Sequence, residues 1–399
     1  MQLEGISTEG DDEQAIPSGG PRRQLTKTLR ALRGVPLLAK LFFGLIGLVI
    51  ILWIGSAIYL HEHPYYAISP GDAISVQGLI TVPKGAAHKS TNRVLLTDVL
   101  LGQVTALQLP GYLLDPYVDL EPAQNVLGPN ISPQELAVIS QFQMSQSQDQ
   151  AKIAALTHLG YVINSRGSGV LVLTATPGTA ASSVFQPDDV ITAVDGKPIT
   201  AVDELKNIIS TMHPEDSVSV TFVRGVDGQP RTVKVRLTSE KIGSHIETVI
   251  GVEVDPTAVQ TYSLPVNISI NSDQIGGPSA GLAFTLGVID TLSNGNLTGG
   301  LAIAATGTID ESGNVGAIGG LPQKTVAVRR AGATVFFVPY GEPQSDYSLA
   351  AKFASGKVKI VKVHNVTDVL KYLAAHGGDL QGVSIKPANQ PSISTSKSG

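Results

Sequence analysis

The spacing of hydrophobic and polar residues changes several times along the chain, and each change predicts a different element. Residues 41–60 (LFFGLIGLVIILWIGSAIYL) form an apolar run without a charged side chain. Between residues 65 and 120, short β-rich runs such as GLITV and RVLLTDVLL alternate with Gly and Pro breaks, which predicts strands. The residues ISPQE at 131–135 combine a Ser N-cap, a Pro at the first helical position and a Glu three residues after the cap. This combination predicts that a helix begins there.

Residues 150–238 have the pattern of one unit built from strands and a short helix. The run GVLVLTA is β-rich, and a second run, DDVITAV, ends at the tight-turn pair Asp195-Gly196. Thr200 and Asp203 make a capping-box-like pair at the start of a helix. Two further strands, SVSVTFVR and RTVKVRL, complete the unit.

Gly-rich turns separate the elements of residues 239–376. The strand-like run VNISI leads into NSDQIGGPSAG, and the next residues, LAFTLGVIDTL, have the length and apolar content of a buried helix. Together these patterns predict a multidomain α+β protein. Its expected parts are a disordered tail with a basic flank at 1–40, a transmembrane helix at 41–60, a β-rich and helical connecting region at 61–149, a β-rich unit at 150–238, an α+β domain at 239–376 and a flexible tail at 377–399.

The apolar run at 41–60 changes the expected location of the chain. A helix of twenty residues would be roughly 30 Å long, which matches the hydrocarbon core of a bilayer. Basic residues are distributed unequally around the run. The thirty residues after it contain two, Lys84 and Lys89, and six precede it, namely Arg22, Arg23, Lys27, Arg30, Arg33 and Lys40. The positive-inside bias predicts a single-pass protein of the cell membrane with its N-terminus in the cytoplasm and the chain from His61 onward outside it. A cleaved signal peptide is the alternative, but SAIY at 56–59 is a poor cleavage site, which favours an uncleaved anchor.

Composition and charge exclude several functions. The formal net charge is −5, and no basic stripe is interleaved with aromatic residues, so we expect no nucleic-acid partner. The sequence contains no Cys, which removes disulfides, thiolate zinc sites and a Cys nucleophile. The eight His residues are scattered without a metal-binding spacing, so we expect neither a metal nor a cofactor.

Ser279 is the first candidate for chemistry, because it follows Gly277 in a Gly-rich turn that leads into a helix. Backbone N–H groups at a helix N-terminus, such as that of Ala280, suit a carbonyl oxygen on which negative charge develops. Several interpretations remain open from the spacing alone. The serine could be a helix cap, the GPSAG run formally matches the nucleophile elbow of α/β-hydrolases, and the Gly-rich turn could cradle a phosphate. In the elbow interpretation the partners would be Asp310 or Asp346 and His364 or His376.

Lys324 is the second candidate, because it opens a helix after the Gly-bounded run GGLPQ. A lysine is an adequate base only when it is neutral, and its unperturbed pKa is about 10.4. Burial and the positive end of a helix would both lower that pKa. Lys324 could then take the hydroxyl proton of Ser279 and later give it to the leaving amine. The alternative is a solvent-exposed helical lysine.

GPSAG followed 45 residues later by the lysine of GGLPQK resembles the proteolytic domain of Lon proteases. The similarity covers about residues 245–375 and includes TGTI at 306–309. The resemblance implies that Ser279 is the nucleophile, Lys324 the base and Thr306 a hydroxyl partner that orients Lys324. It also implies assembly into a homo-oligomer, since Lon-type domains often form rings. Many Lon enzymes carry an acidic residue just before the motif, where this chain has Gly276-Gly277.

The unit at 150–238 resembles a PDZ domain of the bacterial protease-associated kind. The resemblance rests on GVLV at 169–172, on PGTAA at 177–181 and on PDDVI at 187–191 with Asp195-Gly196. In such domains a loop holds the terminal carboxylate of a peptide, which adds as a strand. The implied peptide-binding residues are Ser168, Gly169, Val170, Leu171 and Val172. The alternative is that these glycines only make turns and the unit packs on its neighbours.

The expected function is that of a membrane-anchored serine endopeptidase that acts on polypeptide substrates. No Walker A motif occurs in the sequence, so we expect cleavage without ATP-driven unfolding, and substrates that are unfolded or exposed segments. The PDZ-like unit would select or gate peptides. The alternative is a non-catalytic peptide-binding scaffold that retains a protease fold.

Overall fold

The computed structural model describes residues 36–88, 92–128, 131–225, 228–242, 245–272, 275–293 and 296–386. Residues 1–35 of the predicted disordered tail lie outside the described residues. Residues 387–399 of the predicted C-terminal tail also lie outside them. The chain divides into two compact units, of which one contains residues 1–64 and 105–110 and the other contains residues 65–104 and 111–399.

Helices and strands of the described residues are numbered in chain order. The helices are α1 Leu37–Glu62, α2 Leu109–Leu114, α3 Ala123–Leu127, α4 Pro133–His158, α5 Val202–Ile209, α6 Gly281–Leu292, α7 Leu321–Arg330, α8 Gln344–Ala354 and α9 Val366–Ala375. Short 3-10 turns occupy Val76–Gly78, Ala180–Ser183 and Pro278–Ala280. The strands are β1 Tyr65–Ser75, β2 Ile80–Thr81, β3 Arg93–Gln103, β4 Asp119–Pro122, β5 Asn164–Ala175, β6 Asp189–Val194, β7 Lys197–Pro198, β8 Ser217–Arg224, β9 Arg231–Arg236, β10 Thr238–Ile242, β11 His245–Val249, β12 Val252–Ser263, β13 Ser269–Ile270, β14 Ala302–Ala305, β15 Thr308–Ile309, β16 Val315–Gly316, β17 Val335–Pro339 and β18 Lys359–Val363.

Helix α1 is the long apolar element that the sequence predicts. It has 26 residues and covers the whole of the predicted span at 41–60. Among the described residues it is the helix that is long and apolar enough to cross a membrane, with a mean hydropathy of 2.6 over its most apolar part. Its length of roughly 39 Å exceeds the hydrocarbon thickness of a bilayer.

A six-stranded sheet joins the chain before the PDZ-like unit to the chain after it. Its order is β18-β17-β14-β3-β1-β4. The strands β18, β17, β14 and β3 run parallel to one another, whereas β1 is antiparallel to both β3 and β4. The predicted connecting region at 61–149 and the predicted domain at 239–376 therefore contribute to the same sheet. The sequence analysis separates these two regions, but the structure pairs β3 of the first with β14 of the second in parallel. The two strands are about two hundred residues apart in the sequence.

Helix α6 lies at the centre of the core that packs on this sheet. Its residues from Gly281 to Asp290 are all buried, which confirms the prediction of a buried helix. Phe284 and Leu286 belong to a hydrophobic cluster that also contains Leu156 of α4 and Leu96 of β3. Burial of each such side chain contributes about 1.5–3 kcal/mol. The core thus fixes α6, and the turn before it, against both α4 and the sheet.

Helix α4 begins as the sequence predicts. The Ser132 hydroxyl accepts a hydrogen bond from the Glu135 backbone N–H, and the Glu135 carboxylate accepts one from the Ser132 backbone N–H, so the capping box is complete. The helix continues to His158, whose backbone carbonyl accepts a 2.7 Å hydrogen bond from the Ser384 N–H. The described start of the predicted tail, 377–386, is therefore held against α4 instead of being free.

The PDZ-like unit is built around a largely antiparallel sheet of order β12-β5-β6-β8-β9, with β7 pairing β6. Asp195 and Gly196 both have positive φ, at 47° and 74°, so the predicted tight turn joins β6 to β7. The pair predicted to cap the start of α5, Thr200 and Asp203, differs from the pair in the structure. The backbone N–H and the hydroxyl of Thr200 both donate to Glu204, not to Asp203.

Candidate active site

Ser279 lies in the middle of the 3-10 turn that precedes α6, and this turn is held from two sides. Gly277 has φ 85° and ψ 157°, a conformation that favours glycine, and its N–H donates to the Ser140 carbonyl of α4 over 2.7 Å. About two turns further along the same face of α4, the Ser147 hydroxyl donates to the Pro278 carbonyl over 2.9 Å. Helix α4 therefore fixes the backbone on the N-terminal side of Ser279.

Close packing fixes the C-terminal side of the same turn. A Cβ atom at Gly281 would lie 2.7 Å from Ile309 Cγ2 and 2.8 Å from Ser147 Oγ, so only glycine fits there. In addition, the Gly307 N–H donates to the Ser279 carbonyl over 2.8 Å. The glycines of the motif thus permit α4, β15 and the start of α6 to converge at Ser279.

Lys324 reaches Ser279 from the first turn of α7. Gly320 precedes α7 in the left-handed conformation, with φ 69° and ψ 33°. The Lys324 side chain is 3% exposed, and its Nζ lies 2.7 Å from Ser279 Oγ. The two predicted catalytic side chains are therefore in direct hydrogen-bond contact.

Thr306 is the third member of this cluster and is fully buried. Lys324 Nζ donates to Thr306 Oγ1 over 3.3 Å, and Thr306 Oγ1 donates to the Ser279 carbonyl over 3.1 Å. The threonine hydroxyl thus connects the lysine to the backbone of the serine. This is the geometry expected of a residue that orients Lys324.

Burial lowers the pKa of Lys324 from its ordinary value to about 8. Desolvation penalises the ammonium form, and the nearby carboxylates of Glu342 and Asp98 act in the opposite direction. Burial also raises the pKa of the Glu342 carboxyl, whose Oε1 accepts the Ile318 N–H over 2.7 Å. A lysine with a pKa near 8 is neutral in about a tenth of the molecules at pH 7 and in about half of them at pH 8, whereas an ordinary lysine is almost wholly charged.

A groove of about 1010 Å³ opens over Ser279 and Lys324. Residues before the PDZ-like unit supply most of its apolar wall, namely Ile68, Val99, Leu101, Val126, Leu127 and Leu136. Sequence reasoning assigned no site residue to that part of the chain. A groove of this size can hold an extended polypeptide across Ser279.

The hydrolase-elbow interpretation requires a His and an Asp at Ser279, and the structure brings neither there among the described residues. His364 Nδ1 lies 3.4 Å from Asp368 Oδ2. His376 Nδ1 lies 2.7 Å from the Tyr372 carbonyl. Both histidines are thus engaged on or beside α9, whereas the hydroxyl of Ser279 contacts Lys324.

The predicted peptide-binding residues Ser168, Gly169, Val170, Leu171 and Val172 lie on β5, and both edges of β5 are paired. Val170 and Leu171 pair with β6 on one side, and residues 164–175 pair with β12 on the other. A peptide cannot add as a strand to an edge that the chain itself occupies. The structure therefore moves the candidate peptide site away from β5.

The edge strands of this sheet are β12 and β9, and a groove of about 690 Å³ lies between β12 and α5. The β10–β11 hairpin borders the same groove. Apolar side chains from α5, from β12 and from the short turn before β12 line it, namely Val202, Leu205, Ile209, Ile250, Val252 and Val254. The β-rich run VEVDPTAVQTYS after residue 251 was the available sequence signal, but its pairing with β5 is not visible locally.

Comparison with known families agrees with this geometry. Residues 241–376 match the family of the Lon protease (S16) C-terminal proteolytic domain, and residues 142–237 match the PDZ domain family. The chain thus carries a PDZ domain and a Lon-type protease domain, which confirms the predicted resemblance and the multidomain α+β fold.

Relatives with this protease domain include two clostridial proteins. A 143-residue stretch is 30% identical to the Lon protease of Clostridioides difficile and covers 35% of this chain and 18% of that protein. A 118-residue stretch is 35% identical to the Lon protease of Clostridium acetobutylicum and covers 30% of this chain and 15% of that protein. The chain therefore spans less than a fifth of the length of these relatives.

Solved structures similar to the PDZ domain come from Listeria. The PDZ domain of the SdrC-like protein from Listeria monocytogenes is 22% identical, with a TM-score of 0.20, and the match covers 22% of this chain and 86% of that one. The corresponding domain from Listeria innocua is 23% identical, with a TM-score of 0.20, and the match covers 22% and 92% of the two chains.

Replacing Lys324 by Met should stabilise the fold at pH 7. The buried ammonium costs roughly 3 kcal/mol for a pKa this far below its usual value, and Met removes the charge while losing two hydrogen bonds. We expect the free energy of unfolding to rise by about 1–3 kcal/mol. Because the unfolded chain keeps the proton up to pH 10.5, wild-type stability rises between pH 8 and 10.5, so the advantage of Lys324→Met shrinks there. Chemical denaturation followed by circular dichroism at pH 7 and pH 10 measures the difference in the free energy of unfolding between the variant and the wild type.

Lys352→Met provides the matched control, since Lys352 is exposed on α8 and should give no such difference. A stability difference between Lys324→Met and the wild type that stays constant over this pH range would contradict a lysine buried with a lowered pKa.

Proposed function

We propose that this chain is an ATP-independent, membrane-anchored serine endopeptidase with Ser279 as nucleophile and Lys324 as general base. The observation that carries the proposal is the 2.7 Å contact between Lys324 Nζ and Ser279 Oγ, in which Lys324 as a whole is only 3% exposed. The Lon-type protease domain supports peptide-bond hydrolysis as the reaction.

The first step is attack of Ser279 Oγ on the carbonyl carbon of a peptide held in the groove. Neutral Lys324 takes the hydroxyl proton as the C–O bond forms, and the carbonyl oxygen becomes an oxyanion. The backbone N–H groups where the turn meets α6, including that of Ala280, stabilise that charge because they lie at a helix N-terminus. Protonated Lys324 then gives its proton to the leaving amine, and the C–N bond breaks to leave an acyl-enzyme.

Hydrolysis of the acyl-enzyme uses the same groups in the reverse order. Lys324, again neutral, takes a proton from water as the water oxygen attacks the acyl carbon. The Ser279 leaving group recovers its proton from Lys324 as the ester C–O bond breaks, and the carboxylic acid product departs and loses its proton to water. Thr306 holds Nζ in line with the serine throughout by its 3.3 Å contact.

The substrates of this reaction are polypeptide segments that are already extended. The sequence contains no Walker A motif, so unfolding by ATP hydrolysis has no module in these 399 residues. The groove between β12 and α5 supplies a second binding site, where a peptide adds to the β12 edge and its apolar side chains enter between Leu205 and Val252. Helix α1 anchors the chain in the membrane, with the protease on the side opposite the basic N-terminal segment.

Removal of either proposed catalytic side chain should abolish cleavage without unfolding the protein. In the full chain in detergent micelles, we expect Ser279→Ala and Lys324→Ala each to lower casein cleavage by at least about a thousandfold. Ser348→Ala and Lys352→Ala change the same residue types at exposed positions of α8 and should retain wild-type rates. Near-normal cleavage by Ser279→Ala would refute the nucleophile, and a folded, inactive wild type would favour the scaffold alternative.

The pH dependence should report the protonation of Lys324. Since the base must be neutral and its pKa lies at about 8, kcat/KM should rise about tenfold per pH unit below 8 and level off above it. Initial rates on a fluorogenic peptide between pH 6 and pH 10 measure this profile. A rate that is flat across pH 8, or that falls as the pH rises through 8, would exclude Lys324 as the base.

Filling the groove beside β12 should weaken peptide binding. Ser210 lines this groove at the end of α5, so Ser210→Trp should lower the affinity for labelled decapeptides with apolar C-termini by about tenfold or more. Ser183→Trp adds the same side chain at an exposed site in the PDZ domain outside the groove and should bind normally. Equal affinities of the two variants, measured by fluorescence anisotropy, would show that peptides do not use this groove.

A further inference from the structure

An uncharged and leucine-rich segment follows the sheet strand β3. No charged residue occurs between Asp98 and Asp115, and the last ten residues of this stretch read TALQLPGYLL, from Thr105 to Leu114. We call these ten residues the leucine segment. Surface segments of a water-soluble domain usually carry charges, so this composition indicates a different environment.

Three of the four leucines of this segment are exposed, and Leu109 is half-buried. Leu107 is 81% exposed, Leu113 is 68% exposed and Leu114 is 84% exposed. Helix α2 forms the second half of the segment and contains no buried residue. Exposed apolar patches of this kind mark contact with a partner or a membrane.

Chain geometry fixes where the leucine segment starts. The Val104 N–H donates to the Tyr65 carbonyl over 2.8 Å, and Tyr65 is the third residue after α1 ends at Glu62. Three residues span at most about 10 Å. Moreover, Thr105–Pro110 belongs to the same compact unit as residues 1–64, which include α1. The leucine segment thus begins next to the end of the apolar helix.

We propose that the leucine segment inserts into the headgroup boundary of the same bilayer that α1 crosses. This proposal rests on the proposed membrane anchoring by α1. The zone between the hydrocarbon core and bulk water is roughly 5–8 Å deep on each side, which an element starting about 10 Å from the span can enter. Exposed Leu side chains and the amphipathic ring of Tyr112 suit this layer. Asp115 ends the uncharged run and returns the chain to water.

Insertion would restrict the substrates that the protease domain meets. Leu101 lines the active-site groove and lies four residues before Thr105 along the chain. Four residues span at most about 14 Å, so an inserted leucine segment keeps this wall of the groove close to the bilayer surface. The substrate class is therefore polypeptide segments that lie next to the membrane, such as tails and loops of membrane-bound proteins.

The absence of Cys from the sequence permits a direct test with single-cysteine variants of the full chain. The variants Leu114→Cys, Ile50→Cys and Ser183→Cys, each labelled with a small fluorophore, are reconstituted into phosphatidylcholine vesicles with and without spin-labelled lipids. Insertion by roughly 5–10 Å should make the probe at 114 about threefold more strongly quenched by shallow spin labels than the probe at 183. A water-soluble quencher should reach the probe at 183 more easily.

The three positions separate the two proposals from each other. Strong quenching at 50 by deep spin labels together with weak quenching at 114 would overturn the inserted segment and leave the anchor standing. Weak quenching at 50 would overturn the anchoring itself. Energy transfer between labelled copies at 114 without lipid quenching would overturn the proposal as well, because it assigns the leucines to a contact between two protein copies.

Discussion

The contact between the buried Lys324 ammonium group and Ser279 is the interaction on which the rest of the protease domain depends. A lysine that is 3% exposed lies in a site from which water is excluded, and other parts of the chain have to enclose that site. Strands β1 and β3 supply walls against α7, although they precede the motif by about two hundred residues. The charge costs roughly 3 kcal/mol of folding free energy, which the core around α6 has to offset. The reactivity that we propose for this site would therefore be obtained at the expense of stability.

Helix α4 contacts both the PDZ domain and the turn that carries Ser279, and it does so with different faces. Ser140 and Ser147 lie on the same face of α4, about two turns apart, and they bond the Gly277 N–H and the Pro278 carbonyl. On another face, Phe142 packs against the PDZ core residues Leu171, Val190 and Val223. Ser145 donates to Asp188 in a PDZ turn. A displacement of α4 by a peptide bound to the PDZ domain would reach the nucleophile turn directly.

Local chemistry made part of this structure predictable from sequence. The capping box at Ser132, the turn at Asp195-Gly196 and the glycine frames of Ser279 and Lys324 each depend on neighbouring residues, so short windows reveal them. The pairing of β3 with β14 and of β12 with β5 depends on residues far apart in sequence, and alternation within one strand does not identify its partner. For this reason the sequence alone predicts a connecting region where the structure has β1 and β3, and it does not identify β12 as an edge strand of the PDZ sheet.

The carboxylates near Lys324 explain why burial does not lower its pKa further. Glu342 and Asp98 both favour the ammonium form, and they oppose the desolvation that favours the amine. Without them the pKa of Lys324 would be lower still, and the neutral amine would be a weaker base, because basicity falls with pKa. Glu342 is itself buried and accepts the Ile318 N–H, so its position is fixed by the loop that borders the groove. A substrate that moves this loop therefore changes the distance between Glu342 and Lys324, and with it the fraction of neutral base.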